Sequence, residues 1–381
     1  MRIDKIKIKN FRGFKECEFR LAPHVTLFIG ANGTGKTAIL DALAVGAGSF
    51  LLGIDGARSR PIEADEVRRE SHAASGATSI ETQFPAIVAC DGVVGGEQVS
   101  WSRTLAGVGK RTARDRAIAN IAEQLLKVLR AGKPSVLPLI CYYGTGRLWL
   151  QKRERSLATV KPTSRTAGYA DCLDPASDEK SLLRWFKTME IGALQKRVPI
   201  TLLDGVKAAV SRCMENWRRV YFDVPNDELM AEDDKGHFLP SRLLSDGQRT
   251  MLAMVMDIAY RAAVLNPHLG AEAPAKTPGV VLIDEIDLHL HPRWQKHVLD
   301  DLRRTFPNVQ FIATTHSPFI VQSLRPGELI DLDGPPEGEY VDKSIEDIAE
   351  NVMGVPQPYR SQRMQEMMQA AKEYYQVLER A

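Results

Sequence analysis

A glycine-rich segment, GANGTGKT at residues 30–37, follows an apolar run of strand length and precedes a run of helical composition. It matches the pattern GxxxxGK[ST], in which glycines let successive backbone N–H groups face phosphate oxygens at the start of a helix. In such a loop the lysine neutralises the β- and γ-phosphates and the hydroxyl that follows ligates Mg²⁺. The segment therefore predicts binding of a nucleoside triphosphate by Gly30, Ala31, Asn32, Gly33, Thr34, Gly35, Lys36 and Thr37.

A second apolar run, VVLI at residues 280–283, ends in two acids. At a strand end, Asp284 would hold the Mg²⁺ ion together with Thr37, and Glu285 would polarise an attacking water molecule. The next apolar run, 309–313, leads into TTHSP, where His316 is placed to hydrogen-bond a terminal phosphate. The alternative for His316 is a structural histidine with satisfied ring nitrogens.

Between these motifs stands LSDGQ, at the start of a strongly helical segment. Ser245 is a natural N-cap, and the amides that follow it would face a phosphate. We predict that Ser245, Asp246, Gly247 and Gln248 contact nucleotide. A simple helix cap is the alternative.

The elements that must position these motifs alternate between strands and helices, which favours an α/β fold. Four expectations concern particular segments: a loop over 53–78, a hairpin turning at Asp91-Gly92, a helix over 200–220 and a helix over 293–305. We expect one head over residues 1–335 and a helical tail over 336–381, whose helix begins near Ser361. Within the head, the expected divisions are a core of 1–50 and 240–335, a β subdomain with a basic insertion over about 78–166, and a helical lobe over about 170–240.

Composition narrows the class of protein. The 381 residues are 44% hydrophobic and 26% charged, with a formal net charge of +2, which is typical of a globular chain and excludes a disordered one. The sequence contains no apolar run of the length that a membrane-spanning helix needs, and the five cysteines include no CxxC pair. These features predict a cytoplasmic protein with reduced thiols and no membrane partner.

The four ordered motifs resemble those of the ABC-type ATPase superfamily, in its SMC-like and RecF-like branch. The resemblance implies a P-loop head with a mixed sheet core, an antiparallel β subdomain and an inserted helical lobe. It also implies ATP and Mg²⁺ as cofactors and a homodimer in which the signature residues Ser245–Gln248 of one head face the ATP of the other. It assigns Asp284 as the Walker B acid, Glu285 as the base, His316 as the switch histidine, Asp287 as the D-loop residue, and Arg12, in NFRGF, as a residue near nucleotide. A solvated turn is the alternative for Arg12.

Departures from the family pattern leave two questions open. Asp246 replaces the usual first glycine of the signature, and no clear Q-loop glutamine follows the strand ending in CYYGTG, although Gln83 and Gln151 are candidates. Three histidines near the D-loop, His289, His291 and His297, raise zinc as an alternative, but no cysteine or further ligand completes a site.

The segments YYGTGRLW, LSDGQRTMLAMVMDIAYR and DLHLHPRWQ resemble the PtuA-type ATPases of Septu and retron anti-phage systems. That resemblance implies a separate nuclease or effector subunit. The related OLD proteins carry a Toprim nuclease, for which Glu328, Asp331 and Asp333 are candidate metal ligands. Too few residues follow Asp333 to complete such a domain, so we expect a core strand and its turn there.

Charge is uneven along the chain. Residues 101–166 hold 14 Lys and Arg against three acids, which favours DNA or RNA binding, with a solvated basic face or an acidic partner as alternatives. The opposite bias occurs at 223–234, with six acids. The leading hypothesis is an ATPase that controls an effector in antiviral defence. A RecF-like DNA-repair ATPase and a nucleotide-sensing scaffold with little turnover are the alternatives.

Overall fold

A computed structural model describes residues 1–74, 77–113, 116–148, 164–175, 179–196, 200–334 and 340–380. Its strands are β1 (Arg2–Phe11), β2 (Phe14–Arg20), β3 (Val25–Ile29), β4 (Arg69–Ala74), β5 (Ala77–Thr82), β6 (Ala86–Val94), β7 (Glu97–Leu105), β8 (Leu139–Tyr143), β9 (Trp217–Asp223), β10 (Glu228–Asp233), β11 (Phe238–Pro240), β12 (Gly279–Ile283), β13 (Val309–Thr314) and β14 (Leu329–Asp331). Its α-helices are α1 (Lys36–Ala47), α2 (Arg116–Arg130), α3 (Glu179–Lys196), α4 (Thr201–Cys213), α5 (Asp246–Leu265), α6 (Ala273–Lys276), α7 (Pro292–Gln295), α8 (Val298–Thr305), α9 (Pro318–Gln322), α10 (Ile345–Asp347) and α11 (Gln362–Arg380).

The core is a five-stranded sheet in the order β14-β3-β13-β12-β8, in which every pairing is parallel. The four strands other than β14 are buried along their whole length, because helices and a second sheet cover both faces. Parallel strands end at one edge, so the segments that follow β3, β12, β13 and β8 meet there. This edge carries the phosphate loop, the two acids and His316.

The second sheet is antiparallel, in the order β2-β1-β6-β7, and α1 lies between it and the core sheet. Buried polar side chains join the layers. The Trp101 indole donates to the carbonyl of Gly46 in α1 (2.9 Å), and the Gln310 amide makes two 2.8 Å hydrogen bonds with the backbone of Ile3. The α/β class is confirmed. Both strand directions occur, but in separate sheets: the core sheet is parallel and the second sheet is antiparallel.

The lobe before α5 contains α3, α4 and a three-stranded sheet in the order β11-β10-β9. The predicted helix over 200–220 is wrong at its end, since α4 stops at Cys213 and Trp217–Asp223 is β9. Asn216 has a left-handed φ of 64°, which turns the chain, and alternate residues of β9, Val220 and Phe222, are buried. The predicted helix over 293–305 is two helices, α7 and α8.

The predicted loop over 53–78 is also wrong, because β4 begins at Arg69 and pairs with β5. The side chains of this hairpin that the structure describes are exposed or half-buried, so no apolar alternation marks it in the sequence. The predicted turn at Asp91-Gly92 lies in the middle of β6, and the chain reverses at Gly95-Gly96 instead. Gly92 is a packing glycine, since a Cβ there would lie 2.1 Å from the carbonyl oxygen of Arg2.

The C-terminal helix α11 begins where the sequence predicts. Ser361 caps it by accepting from the Met364 N–H (3.2 Å). The same helix exposes Met364, Met367, Met368, Tyr374 and Tyr375.

One described segment, Lys36–Gly53, has the length and hydropathy of a membrane-spanning helix, but 89% of it is buried inside the protein, which is typical of a core helix.

Candidate functional site

The phosphate loop has the backbone that its glycines allow. Gly30, Gly33 and Gly35 have φ values of 145°, 88° and 100°, a region that side chains disfavour. At Gly35 an added Cβ would also lie 2.6 Å from the Phe14 ring. The Lys36 ammonium donates to the carbonyls of Gly30 (2.7 Å) and Ala31 (2.9 Å), so the charge is held beside the loop.

Burial lowers the pKa of Lys36, and four carboxylates oppose this shift: Asp333, Asp284, Glu285 and Asp287. The first of these was not expected at the phosphate loop. The Asp333 carboxylate accepts a hydrogen bond from the Ala31 N–H at 2.6 Å. Four acids therefore lie close enough to Lys36 to stabilise its positive charge.

The end of the phosphate loop meets the end of β12. The Thr37 hydroxyl, at the start of α1, donates to Asp284 Oδ2 (2.8 Å), and Thr314 at the end of β13 donates to Oδ1 of the same carboxylate (2.6 Å). Asp284 and Thr314 are buried. A hydroxyl and a carboxylate from separate motifs thus converge, which fits the oxygen ligands that Mg²⁺ prefers.

Glu285 follows in an uncommon backbone conformation. Its φ is 48°, and its N–H donates to the Thr314 hydroxyl (2.7 Å). The Thr314 hydroxyl therefore contacts both acids: the carboxylate of Asp284 and the backbone N–H of Glu285. Backbone strain of this kind is concentrated at functional sites, and here it turns the chain away from the β12 direction at the second acid.

Asp287 is tied to the segment that carries His316. Its carboxylate accepts from the Thr315 hydroxyl and from the backbone N–H of His316 (3.4 Å). His316 is exposed, and the next residue, Ser317, caps α9 by accepting from the Phe319 N–H. The Asp287 carboxylate therefore joins the two loops that follow β12 and β13, through one side-chain contact and one backbone contact.

The start of α5 is a capping box. Ser245 Oγ accepts from the Gln248 N–H (3.4 Å), and Gln248 Oε1 accepts from the Ser245 N–H (3.1 Å). Ser245 and Asp246 are exposed, whereas Gly247 is buried against the loop after β12. A Cβ on Gly247 would lie 2.2 Å from the His289 carbonyl oxygen, so the glycine permits this approach.

A buried network that the sequence analysis missed joins α5 to the core sheet. The Tyr143 hydroxyl, at the end of β8, donates to Asp257 of α5 (2.7 Å), and Arg261 Nε donates to the same carboxylate (2.8 Å). Burial raises the pKa of Tyr143 well above its usual value, and the neighbouring Asp257 charge adds to the rise. Tyr143 also accepts, through its carbonyl, from the Asp284 N–H (2.8 Å).

Arg12 lies beside α1, in a cluster of opposite charges. Its guanidinium contacts Asp41 (2.6 Å) and Glu66 (3.0 Å), and Arg60 contacts the same two carboxylates at 2.6 and 2.9 Å. Tyr142 donates to Asp41 as well (3.1 Å). The predicted site residue Arg12 is thus paired with two carboxylates of the protein, and one of them, Asp41, lies on α1.

The histidines considered for zinc lie on different turns. His291 caps α7, His297 precedes α8 and His289 is exposed in the loop before them. In the ranges that the structure describes, no group of three or more His, Cys, Asp or Glu side chains is arranged to hold a metal ion. The Q-loop candidate Gln83 donates to the Glu81 carbonyl (3.3 Å), and Gln151 lies outside the described residues.

The acid trio considered for a Toprim-type site is also dispersed. Glu328 pairs with Arg303, Asp331 accepts from the Asp333 N–H (3.0 Å), and Asp333 contacts the phosphate loop. The trio lies at β14 and its turn, as expected from the sequence.

The basic segment 101–166 divides into three sets. Arg103 and Arg165 are structural, since Arg103 is 3% exposed and Arg165 donates to the carbonyls of Leu265 and Ser135. A second set is exposed: Lys110, Arg111, Arg116, Lys127, Arg130 and Lys133. The side chains of the third set lie outside the described part of the chain: Arg114, Arg147, Lys152, Arg153, Arg155 and Lys161.

Comparison with known proteins identifies relatives of this chain. Residues 5–197 match the family described as AAA domain, and residues 152–322 match one described as AAA domain, putative AbiEii toxin, Type IV TA system. The retron Ec83 probable ATPase of Escherichia coli is 28% identical over 85% of this chain and 70% of its own length. The Septu protein PtuA of Bacillus mycoides is 32% identical over 50% of this chain and 24% of its own length.

The fold has a solved counterpart. An SMC head crystallised with the C-terminal winged-helix domain of ScpA superposes with a TM-score of 0.51 at 18% identity, over 84% of this chain and 91% of that one. This likeness concerns the fold. The chain belongs to the AAA-domain family, is similar in sequence to retron and Septu ATPases, and shares its fold with an SMC head.

Proposed function

We propose that this chain is a cytoplasmic ATPase that binds ATP with Mg²⁺, dimerises around the nucleotide and controls a separate nuclease or effector in antiviral defence. The observation that carries the enzymatic part is the convergence of Thr37, Asp284 and Thr314, with Glu285 and Lys36 beside them. The defence role rests on the similarity to retron and Septu ATPases.

In this proposal the loop amides and Lys36 hold the β- and γ-phosphates. Thr37 and Asp284 would hold Mg²⁺, which supplies neutralisation of phosphate charge when bound. Asp284 is kept in place by Thr314 and by its own N–H, which donates to Tyr143. Asp284 Oδ2 accepts from Thr37, so both carboxylate oxygens are oriented by hydrogen bonds.

Glu285 is the proposed base. Its N–H is held by Thr314, and its left-handed φ directs the chain into the loop that carries Asp287. A carboxylate there would accept a proton from the attacking water as the water oxygen bonds to the γ-phosphorus. The bond between that phosphorus and the β–γ bridging oxygen breaks, and ADP leaves. His316 is exposed next to this loop, and we assign it a hydrogen bond to the terminal phosphate.

Dimerisation would place the start of α5 on a second molecule's nucleotide. Ser245 and Asp246 are exposed at this helix start, so a partner can reach them, and Gly247 packs against the loop that follows Glu285. The signature residues and the D-loop thus share one surface. A partner that contacts one of them is expected to contact the other.

The test compares ATP turnover by the wild type with that by Glu285→Gln. Glutamine keeps the size of the side chain but removes its basicity, so turnover should fall about 100-fold or more while ATP binding persists. Glu272→Gln is the matched control, since Glu272 is an exposed acid paired only with its helix neighbour Lys276 among the contacts described. Equal turnover by wild type and Glu285→Gln would remove Glu285 as the base.

A second measurement concerns assembly. Light scattering should show an ATP-dependent dimer for Glu285→Gln, and Ser245→Arg should abolish it because a large cation would occupy the exposed helix start. A monomer under all nucleotide conditions would contradict the dimeric part of the proposal. Tight ATP binding with negligible turnover by the wild type would favour the nucleotide-sensing scaffold instead.

We also propose nucleic-acid binding by the exposed basic residues of 101–166. Lys110 and Arg111 line a cavity of about 550 Å³ together with the buried Arg103, and neither has an acidic partner in the described contacts. A Lys110→Ala, Arg111→Ala double variant should weaken DNA or RNA binding and flatten its dependence on salt. DNA-stimulated turnover without any partner protein would favour the RecF-like alternative.

A further inference from the structure

Asp333 belongs to a motif that the proposed function leaves unused. It follows β14, which pairs in parallel with β3 so that Asp331 lies opposite Ile29. The register continues past the strands, where the Leu332 N–H donates to the Ile29 carbonyl (3.1 Å). This pairing delivers the next side chain onto the phosphate loop, where Asp333 Oδ2 accepts from the Ala31 N–H at 2.6 Å.

The carboxylate and the loop lysine hold the same stretch of backbone. Lys36 donates to the carbonyls of Gly30 and Ala31, and Asp333 accepts from the N–H of Ala31. The Gly30 carbonyl, which binds Lys36, and the Ala31 N–H, which binds Asp333, belong to one peptide unit. The Lys36 ammonium and the Asp333 carboxylate therefore lie within about 8 Å of each other. A negative charge is thus fixed close to the cation that would bind the terminal phosphates.

We propose that Asp333 is a specificity-determining residue, whose carboxylate holds the phosphate loop through the Ala31 N–H and selects against the triphosphate. The carboxylate must move or be neutralised when ATP binds, so it weakens the binding of ATP more than that of ADP. This inference rests on the proposed binding of ATP at residues 30–37.

Two observations support a role that is more than structural. The contact is short and charge-assisted, although Asp333 itself is exposed and is free to be replaced by a stronger anion. The next residue, Gly334, has a φ of 145°, a conformation that favours glycine and lets the chain leave the loop directly after the carboxylate. The other acids near Lys36, namely Asp284, Glu285 and Asp287, follow β12 and already have roles in the proposed function.

The test is a pair of equilibrium titrations with fluorescent ATP and ADP analogues in the presence of Mg²⁺. Asp333→Asn keeps an acceptor for the Ala31 N–H but removes the charge, and should tighten ATP binding about tenfold and ADP binding much less. The gain should shrink in high salt, because the interaction lies near the surface. Glu346→Gln, which removes the same charge from exposed helix α10, should leave both affinities unchanged.

The outcomes separate this inference from the proposed function. Wild-type affinity or weaker ATP binding in Asp333→Asn would overturn the inference and leave ATP binding in place. Equal tightening for ATP and ADP would overturn the selectivity. A wild type that binds neither nucleotide would overturn the proposed function and, with it, this inference.

Discussion

Replacing Thr314 with valine should weaken both stability and turnover, because one hydroxyl supports both acids of the site. Thr314 is fully buried at the end of β13. Its hydroxyl donates to Asp284 (2.6 Å) and accepts from the Glu285 N–H (2.7 Å). Valine has nearly the same shape, so it removes these two hydrogen bonds without opening a cavity.

The magnitude follows from the two bonds. A hydrogen bond to a charged group contributes about 1.5–3 kcal/mol, and a buried amide that loses its acceptor costs about 1–3 kcal/mol. Since Asp284 keeps the Thr37 hydroxyl, we expect a value near the lower end of the sum, about 3 kcal/mol of unfolding free energy. Misplacement of the two acids should lower turnover by about 100-fold.

The assay combines denaturation, followed by tryptophan fluorescence, with ATP turnover at saturating nucleotide. Thr314→Ser is the matched control, because serine keeps the hydroxyl and loses only a methyl group. It should retain most of the turnover. The reasoning fails if Thr314→Val matches the wild type in both measurements, or if the serine variant is as impaired as the valine variant.

Three other predictions follow from the site. Gly247→Ala would place a Cβ 2.2 Å from the His289 carbonyl oxygen, so it should abolish turnover while monomeric ATP binding persists. Gly107→Ala, whose Cβ would meet only a Lys110 side-chain carbon at an ordinary contact distance of 3.9 Å, should change neither. Tyr143→Phe removes one buried hydrogen bond and should lower the unfolding free energy by about 1–2 kcal/mol. It should also weaken ATP-dependent dimerisation in light scattering. Unchanged dimerisation would show that the link to α5 is dispensable. Because burial lowers the pKa of Lys36, this lysine should lose its proton, and ATP binding should weaken, at a lower alkaline pH than an ordinary lysine would require. Calorimetry should then detect proton uptake when ATP binds. Lys36→Arg should keep its ATP affinity over the same pH range.

The parts of the site that lie within single segments could be predicted from sequence. The phosphate loop, the two acids after β12 and the capping box at Ser245 each combine a strand end or helix start with its own local residues. Parallel strands end at one edge of a sheet, so the order of motifs along the chain was enough to expect them together. The α/β class followed from the same pattern.

Contacts between distant segments could not be predicted, because nothing in the local pattern of either partner marks them. Asp333 and Ala31 are 302 residues apart and meet only through the pairing of β14 with β3. In the hairpin of β4 and β5 the described side chains are exposed or half-buried, and the sequence there lacks an apolar period. At β9 the sequence has residues that suit either element, and pairing with β10 decides in favour of a strand.

The network of Tyr143 joins the core sheet to the helix that carries the LSDGQ motif. Here Tyr143 contacts Asp284 through its carbonyl and Asp257 of the signature helix through its hydroxyl. Because Arg261 binds the same carboxylate and the backbone of Gly168 and Ala170, a shift of the α5 helix would be transmitted to Asp284, the acid that we propose as a Mg²⁺ ligand. The tyrosine–aspartate pair can therefore couple the two halves of the proposed composite site.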